Sequence, residues 1–286
     1  MTTFLERILE TKRNEVETLK HSHPLQSFMK TGRHPMSGEA PVPCRGFRTA
    51  LESGDRLAVV AEIKQASPSK GHISKNFDPI RTAITYQQAG AAAISVLTDE
   101  SYFLGSVTDL EKVRQVVRLP LLRKDFIIDE LQIAEARLAG ADAILLICAA
   151  LSASRLAELS AYAHSLGLDT LVEVHEPHEL EAALLVAPSV LGVNNRNLHT
   201  FEVSLATTAT ILQHTPKTQV AIAESGVHTP ADASQMAMAG VHGVLVGEAL
   251  MRAENDSAVS PLLDSFRVAR RLREGHSHTA SAVPSI

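Results

Sequence analysis

The sequence predicts an α/β chain that folds as a (β/α)8 TIM barrel carrying an N-terminal helical extension. Three observations predict it. Eight short runs rich in Val, Ile, Leu and Ala recur roughly every 20 to 30 residues, the spacing of βα units. Between them lie amphipathic stretches of helical period, several ending on a glycine. No dinucleotide-type Gly-rich turn follows the first run, which favours a closed barrel over an open doubly wound sheet.

Composition bounds the possible functions. With 286 residues, 45% of them hydrophobic, the chain can bury a full globular core. Its net charge is −5 and it has no long Lys/Arg block, so no nucleic-acid partner is expected. Cys44 and Cys148 stand far apart and outside any C-x-x-C pattern, which indicates a reducing compartment rather than a disulfide framework or a zinc site. The opening MTTFLERILETKRNEVETL mixes acids and bases without an apolar signal core, and no apolar run approaches the ~20 residues needed to span a bilayer. A soluble, cytoplasmic protein without a membrane partner is therefore expected. The H-x-H pairs His21/His23 and His276/His278 sit in loose segments with no third ligand, so no metal site is expected.

Taken in order, Phe4, Leu5, Ile8, Leu9, Val16 and Leu19 recur at helical spacing behind Thr3 as N-cap, predicting an amphipathic opening helix. Its apolar stripe is expected to dock on the barrel, although a dimer or membrane-surface contact would use the same pattern. Residues 21–44 are rich in Pro, Gly, Ser and His and read as a long connection. The extension with its connection is assigned to residues 1–47 and the barrel to residues 48–272. The eight runs are LAVVAEI from Leu57, AAISVLT from Ala92, PLLRKDF from Pro120, AILLICA from Ala143, DTLVEV from Asp169, VLGVNN from Val190, QVAIAE from Gln219 and GVLVG from Gly243. Gly90, Gly140, Gly167 and Gly240 fall where a left-handed helix C-cap belongs. The last helix is expected over 261–271, and the polar tail 273–286 is expected to be disordered.

Catalytic side chains of such barrels project from the C-terminal ends of the strands. This sequence ends strand one in Glu62 and Lys64, strand three in Lys124, strand five in Glu173, strand six in Asn194 and Arg196, and strand seven in Glu224. By the period of two, Glu62 shares a face with Lys64, and Asn194 with Arg196, so both pairs line the barrel mouth. Any one of them is equally compatible with a solvated strand end or a structural ion pair. Convergence of all seven is costly unless they pair or bind something.

Three carboxylates thus face three cations, a set short of positive charge for an anionic ligand. Gly226 and Gly247, with a short helix from Glu248 to Met251, follow strands seven and eight, where barrels commonly hold phosphate on backbone amides. Ser67 in the first loop is placed to close over the same group, with Pro68 and Gly71 shaping that loop. Phe103, Phe126, Leu145, Leu198 and Leu245 stand at strand ends or loops where they can form an apolar slot, and are equally compatible with plain barrel core.

The motifs EIKQASPSKG from Glu62, LLRKDFI from Leu121, LVEVH from Leu171, GVNNRNL from Gly192, AESG from Ala223 and VGEALM from Val246 together resemble the indole-3-glycerol-phosphate synthase family. The likeness runs from LERILETKR near the N-terminus to about Met251. It implies a carboxy-lyase of tryptophan biosynthesis that converts 1-(2-carboxyphenylamino)-1-deoxyribulose 5-phosphate to indole-3-glycerol phosphate with loss of carbon dioxide and water, using no cofactor. By this resemblance Lys124 is the general acid of ring closure, Glu173 the general base of dehydration, and Lys64 the holder of the substrate carboxylate. Glu62, Asn194 and Arg196 orient those groups and the sugar hydroxyls, with Glu224 and Ser225 in the same wall. Ser67, Gly226, Gly247 and the Glu248 amide hold phosphate. Ala249 stands where the family more often has serine, which removes one hydroxyl but no backbone donor.

The implied partner is a small sugar-phosphate substrate, and a monomer is expected. Two competing readings are another phosphate-binding barrel, such as an isomerase or an aldolase-type lyase, and a non-catalytic binding barrel. The first has no use for two strand-end lysines, and the second predicts affinity without turnover.

Overall fold

The computed structural model describes residues 3–68, 71–73, 77–198, 200–253 and 255–271. The tail and the His276/His278 pair lie outside the described residues. Eight parallel strands close into a barrel: β1 (Ala58–Ile63), β2 (Ala93–Leu97), β3 (Leu121–Lys124), β4 (Ala143–Ile147), β5 (Asp169–Val174), β6 (Val190–Asn194), β7 (Ala221–Glu224) and β8 (Gly243–Val246). Each strand pairs with its sequence neighbours, and β8 closes on β1 with Ala58 opposite Gly243 and Ala61 opposite Val246. All eight strands fall within the runs read from the sequence.

Alternation along the strands creates two cores. Ala58 and Val60 of β1 join Leu122, Leu145, Leu171, Ile222 and Leu245 inside the barrel. Val59, Ala61 and Ile63 face outward and pack under the helices, with Ile94, Val96, Val172 and Val244. The same alternation puts Glu62 and Lys64 on the inner face, past the last apolar layer. Gly90, Gly140, Gly167 and Gly240 all take positive φ at helix ends, between 76° and 88°, as the C-cap reading requires.

The extension departs from expectation in one place. Helix α1 (Phe4–Leu19) opens with a capping box in which Thr3 and Glu6 exchange side-chain to backbone hydrogen bonds. The segment read as irregular then contains a second helix, α2 (His23–Thr31), with Pro24 in its first turn and left-handed Gly32 at its end. Pro at the start and Gly at the end were present as helix signals. Local polarity hid them, because only Leu25 and Phe28 are buried, against Val16 of α1 and Leu131 and Ala134 of the helix Glu130–Leu138. The final helix also differs, running Asp256–Phe266 with Pro261 in its interior rather than at its start. Asn255 caps it through the Ala258 amide, so the helix begins at the cap, one turn and a half before the proline.

Beyond α2 the chain crosses to the opposite end of the barrel. Arg137 donates to the Val42 carbonyl at 2.6 Å, and the guanidinium of Arg45 donates to the carbonyls of Val117 and Leu119 at 2.8 and 2.9 Å. Helix α3 (Phe47–Glu52) then inserts Phe47 and Leu51, both fully buried, into the floor of the inner core. Asp142 anchors this crossing. Its carboxylate accepts from the amides of Arg45 and Leu121, each at 2.8 Å, and from Arg114 at 2.7 and 2.9 Å.

Replacing Asp142 with Ala strands the Arg114 guanidinium and two buried amides, and should destabilise the fold by about 3 kcal/mol. Urea unfolding would show a lowered midpoint at unchanged slope; a midpoint within error of the parent would mean that Asp142 is not an anchor.

Candidate active site

The C-terminal ends of the strands surround a cavity of about 200 Å³. Every residue singled out for chemistry in the sequence lines it: Glu62, Lys64, Lys124, Glu173, Asn194, Arg196 and Glu224 from the strand ends, and Ser67, Ser225, Gly226, Gly247 and Glu248 from the loops. Phe103, Phe126, Leu145, Leu198 and Leu245 line the same cavity.

Lys124 is the hub. Its Nζ lies 2.9 Å from Glu224 Oε2, 3.8 Å from Glu173 Oε2 and 3.9 Å from Glu62 Oε2. Burial alone would lower the lysine, but Glu224, Glu173 and Glu62 outweigh it and raise it above its ordinary value. Lys64 pairs with Glu62 Oε1, and burial of Glu62 is offset by Lys64 and Lys124, which hold its carboxyl low.

Arg196 lines the cavity too, yet its Nη1 donates to the Phe201 carbonyl at 3.2 Å. Among the described residues, the lysine contacts to the three carboxylates therefore come from Lys64 and Lys124. The expected balance of three against three is in effect three carboxylates against two ammonium groups.

The surplus carboxylate is identifiable. Burial of Glu173 is outweighed by His175, Lys124 and Asn194, which hold it down to about 2. Glu224 behaves oppositely: burial, helped by the nearby Glu173 and only partly opposed by Lys124, pushes it up to about 7. Like charges sharing one site cannot all ionise cheaply, so the third carboxyl keeps its proton longest.

His175, to which the sequence assigned no role, stands behind Glu173 with Nε2 3.2 Å from Oε1, and Glu179 on its other side at 3.8 Å. Burial would lower the imidazole, but these two glutamates raise it to about 10. It does not line the cavity, so its influence passes through Glu173.

Two glycines make room for the carboxylates. A Cβ on Gly192 would sit 2.2 Å from Glu224 Oε1, and one on Gly247 would sit 2.4 Å from Glu62 Oε1. Neither position tolerates a side chain while these glutamates point inward. At the end of β7 the backbone of Ser225 and Gly226 is left-handed, with φ of 61° and 85°. Asn195 supports that turn, its Nδ2 donating to the carbonyls of Glu224 and Ser225, both at 3.1 Å.

Sequence reasoning missed Asn195 because it lies on the opposite strand face from Asn194 and reads as an ordinary outward residue. It also missed Phe4, Leu5, Ile8 and Phe201, which close the cavity from above. The apolar stripe of the opening helix was visible, but which end of the barrel it covers is set by contacts distant in sequence. The short hairpin of Ala66–Ser67 against Gly71–His72 delivers Ser67 from the β1 side.

Comparison with known proteins gives a consistent picture. The family model described as indole-3-glycerol phosphate synthase matches residues 5–262. The indole-3-glycerol phosphate synthase of Chlorobium phaeovibrioides is 48% identical over 248 residues, covering 86% of this chain and 94% of that protein. The protein of that name from Burkholderia vietnamiensis is 46% identical over 258 residues, covering 90% and 97%. Among solved structures, tryptophan synthase subunit alpha from Legionella pneumophila superposes with a TM-score of 0.57 at 16% identity, covering 79% of this chain and 98% of that one. That last likeness shows the barrel fold alone.

The raised carboxyl of Glu224 has a consequence for stability. Because its folded value, about 7, exceeds its ordinary value of 4.5, its contribution is fully present below pH 4.5 and is lost as pH rises through 7. Against a Glu224→Gln variant, the parent should therefore lose about 3 kcal/mol between pH 4.5 and pH 8. Urea unfolding of both proteins across that range measures the difference, and a gap that does not move with pH would refute the assignment.

Proposed function

The chain belongs to the indole-3-glycerol phosphate synthase family and is a ring-closing carboxy-lyase of tryptophan biosynthesis, and from that premise we propose how its side chains divide the work. The substrate, 1-(2-carboxyphenylamino)-1-deoxyribulose 5-phosphate, carries an aryl carboxylate, a ketone and a phosphate, and the product is indole-3-glycerol phosphate with carbon dioxide and water. The observation that carries the assignment is the position of Lys124, one ammonium within 4 Å of three buried glutamates.

In ring closure the aryl carbon bearing the carboxylate attacks the ketone carbon, and negative charge develops on the ketone oxygen. Lys124 donates its proton there. Its raised proton affinity does not obstruct this step, because an alkoxide is the stronger base, and it guarantees that the ammonium is charged beforehand. The C–C bond to the carboxylate then breaks, returning its electron pair to the ring as carbon dioxide leaves. Dehydration follows: the new hydroxyl takes a proton from Lys64, whose carboxylate partner has left as carbon dioxide, and departs as water while Glu173 takes a proton from the adjacent ring position.

Held near 2 by His175 and by a charged Lys124, Glu173 is a weak base in the resting site. Once Lys124 has given up its proton, that attraction disappears and the proton affinity of Glu173 rises. The acid step thus prepares the base step.

Lys64 is assigned to the substrate carboxylate, for which it must be released from Glu62. Glu62 and Asn194 orient Lys64, Lys124 and Glu173, while Arg196, Glu224 and Ser225 contact the sugar. Phosphate is assigned to Ser67 and the amides of Gly226, Gly247 and Glu248, where three loop segments, after β1, β7 and β8, meet one cavity. The aryl ring is assigned to the slot of Phe103, Phe126, Leu145, Leu198 and Leu245.

Residues 1–47 act as a cap and strap on a catalytic barrel of residues 48–272. One chain furnishes every group named, which supports a monomeric working unit. The net charge of −5 supports a small-molecule partner rather than a nucleic acid. Among the described residues no helix is long and apolar enough to cross a membrane; the biosynthetic activity of the family is what supports a cytoplasmic location.

The test follows indole emission and carbon dioxide release on mixing protein with substrate, with little background because the chain has no tryptophan. For Lys124→Ala, kcat should fall by about 10²–10⁴-fold while substrate still binds. Equal loss of binding and turnover would remove Lys124 from the acid role.

A further inference from the structure

Lys12, in the middle of α1, is 1% exposed and belongs to no step assigned so far. Its Nζ lies 2.8 Å from Asp99 Oδ2, 2.9 Å from Asp125 Oδ1 and 2.8 Å from Glu15 Oε2. Asp99 lies two residues after β2 and Asp125 directly after β3, so this is a contact between the extension and the C-terminal end of the barrel strands. A buried ammonium among carboxylates is an expensive way to attach a helix, since apolar packing of the same volume would hold it at least as well.

The two aspartates explain the choice. Asp99 Oδ1 accepts from the amides of Tyr102 and Phe103, at 2.7 and 3.1 Å. Asp125 Oδ1 accepts from the Phe126 amide at 2.8 Å. Each aspartate that grips Lys12 therefore also fixes the backbone of a cavity-lining phenylalanine, and the rings of Phe103 and Phe126 lie 6.1 Å apart. On the helix side, Phe4, Leu5 and Ile8 line the cavity one and two turns before Lys12. Phe4 meets Tyr102 edge-on at 5.5 Å, and Thr11 Oγ1 lies 2.9 Å from the Tyr102 hydroxyl.

We propose that Lys12 is a positioning residue for the aryl end of the substrate: its ammonium locks the roof carried by α1 against the Asp99 and Asp125 loops and so sets the width of the aromatic slot. Asp125 keeps a second cation, Arg123 at 3.2 Å, and a hydrogen bond from Thr98 at 2.6 Å. Asp99 has Lys12 as its ion-pair partner among the described residues. Loss of Lys12 therefore releases the Phe103 loop more than the Phe126 loop. The proposal rests on the reading that places the aryl ring between these phenylalanines.

The experiment compares Lys12→Met, the charge-balanced double variant Lys12→Met/Asp99→Asn, Phe126→Ala and Asp142→Ala. For each it measures kcat and KM with the carboxyphenylamino substrate, the affinity for inorganic phosphate, and thermal stability. The Asp99→Asn change keeps the side-chain oxygen that caps Tyr102 and Phe103, so the double variant removes the clamp without stranding a charge. Both Lys12 variants should raise KM about tenfold or more, with kcat changed less and phosphate affinity held within about twofold. Asp142→Ala, at the far end of the barrel, should lower stability and leave KM unchanged.

A double variant with parental KM overturns the proposal. So does a parallel loss of substrate and phosphate affinity, or failure of both Lys12 variants to fold, either of which makes Lys12 a general fastener. If Phe126→Ala leaves KM unchanged, it is the aryl slot that is misplaced; if Phe126→Ala raises KM and the Lys12 variants do not, the slot stands and the Lys12 inference alone fails.

Discussion

The structure depends on a charge that is outnumbered. Lys124 sits inside the barrel mouth with Glu62, Glu173 and Glu224 around it, and each of these groups would be prohibitively costly there alone. Together they are tolerable, because one ammonium serves three carboxylates, Lys64 takes a share of Glu62, and Glu224, raised by burial and by Glu173, is the carboxyl that keeps its proton longest. The same crowding gives the groups different chemistry. Glutamates of identical intrinsic acidity are pushed in opposite directions by position alone, Glu62 and Glu173 down and Glu224 up.

This arrangement constrains residues that carry no charge. Gly192 on β6 and Gly247 after β8 face the carboxylates of Glu224 and Glu62 at distances no Cβ could occupy. Gly247 thus has two duties: it leaves space for Glu62, and it exposes backbone where the phosphate is assigned. The left-handed turn at Ser225 and Gly226, held from behind by Asn195, similarly joins the end of the β7 carboxylate to the loop beyond it. The carboxylate cluster and the glycine turns assigned to phosphate are therefore one construction, and a substitution aimed at either reaches the other.

Much of this was legible in the sequence, for a definite reason. A strand's period of two is rigid, so an apolar run that ends in Glu-x-Lys, such as 62–64, or Asn-x-Arg, such as 194–196, fixes which side chains face the barrel interior before any contact is known. Parallel topology then gathers every such ending at one mouth. Both rules are local or topological, and a single sequence carries them. Helix α2 escaped because its apolar face is only Leu25 and Phe28, too short to give a period. The direction of the Lys124 shift escaped because it is a difference between burial and three long-range attractions, each dependent on distances of a few ångströms. The departure of Arg196 from the ion-pair set has the same origin, since the carbonyl that holds it belongs to Phe201, in the loop beyond β6.

The extension was the least legible part, and its anchoring shows why it is built as it is. It is tied at both ends of the barrel by a buried charge: Lys12 between Asp99 and Asp125 at the mouth, and Asp142 between Arg114 and the Arg45 backbone at the floor. Between these points α2 packs on the Glu130–Leu138 helix through a small apolar patch, Val16, Leu25, Phe28, Leu131 and Ala134. Such a patch has little directional preference, because hydrophobic contact fixes area and not orientation. Ion pairs with two or three defined partners fix orientation at the expense of desolvation. Phe4, Leu5 and Ile8 have to be placed over a cavity whose catalytic distances are set by the barrel, so orientation is the scarce quantity at this end of the chain. The buried lysine is the side chain that supplies it.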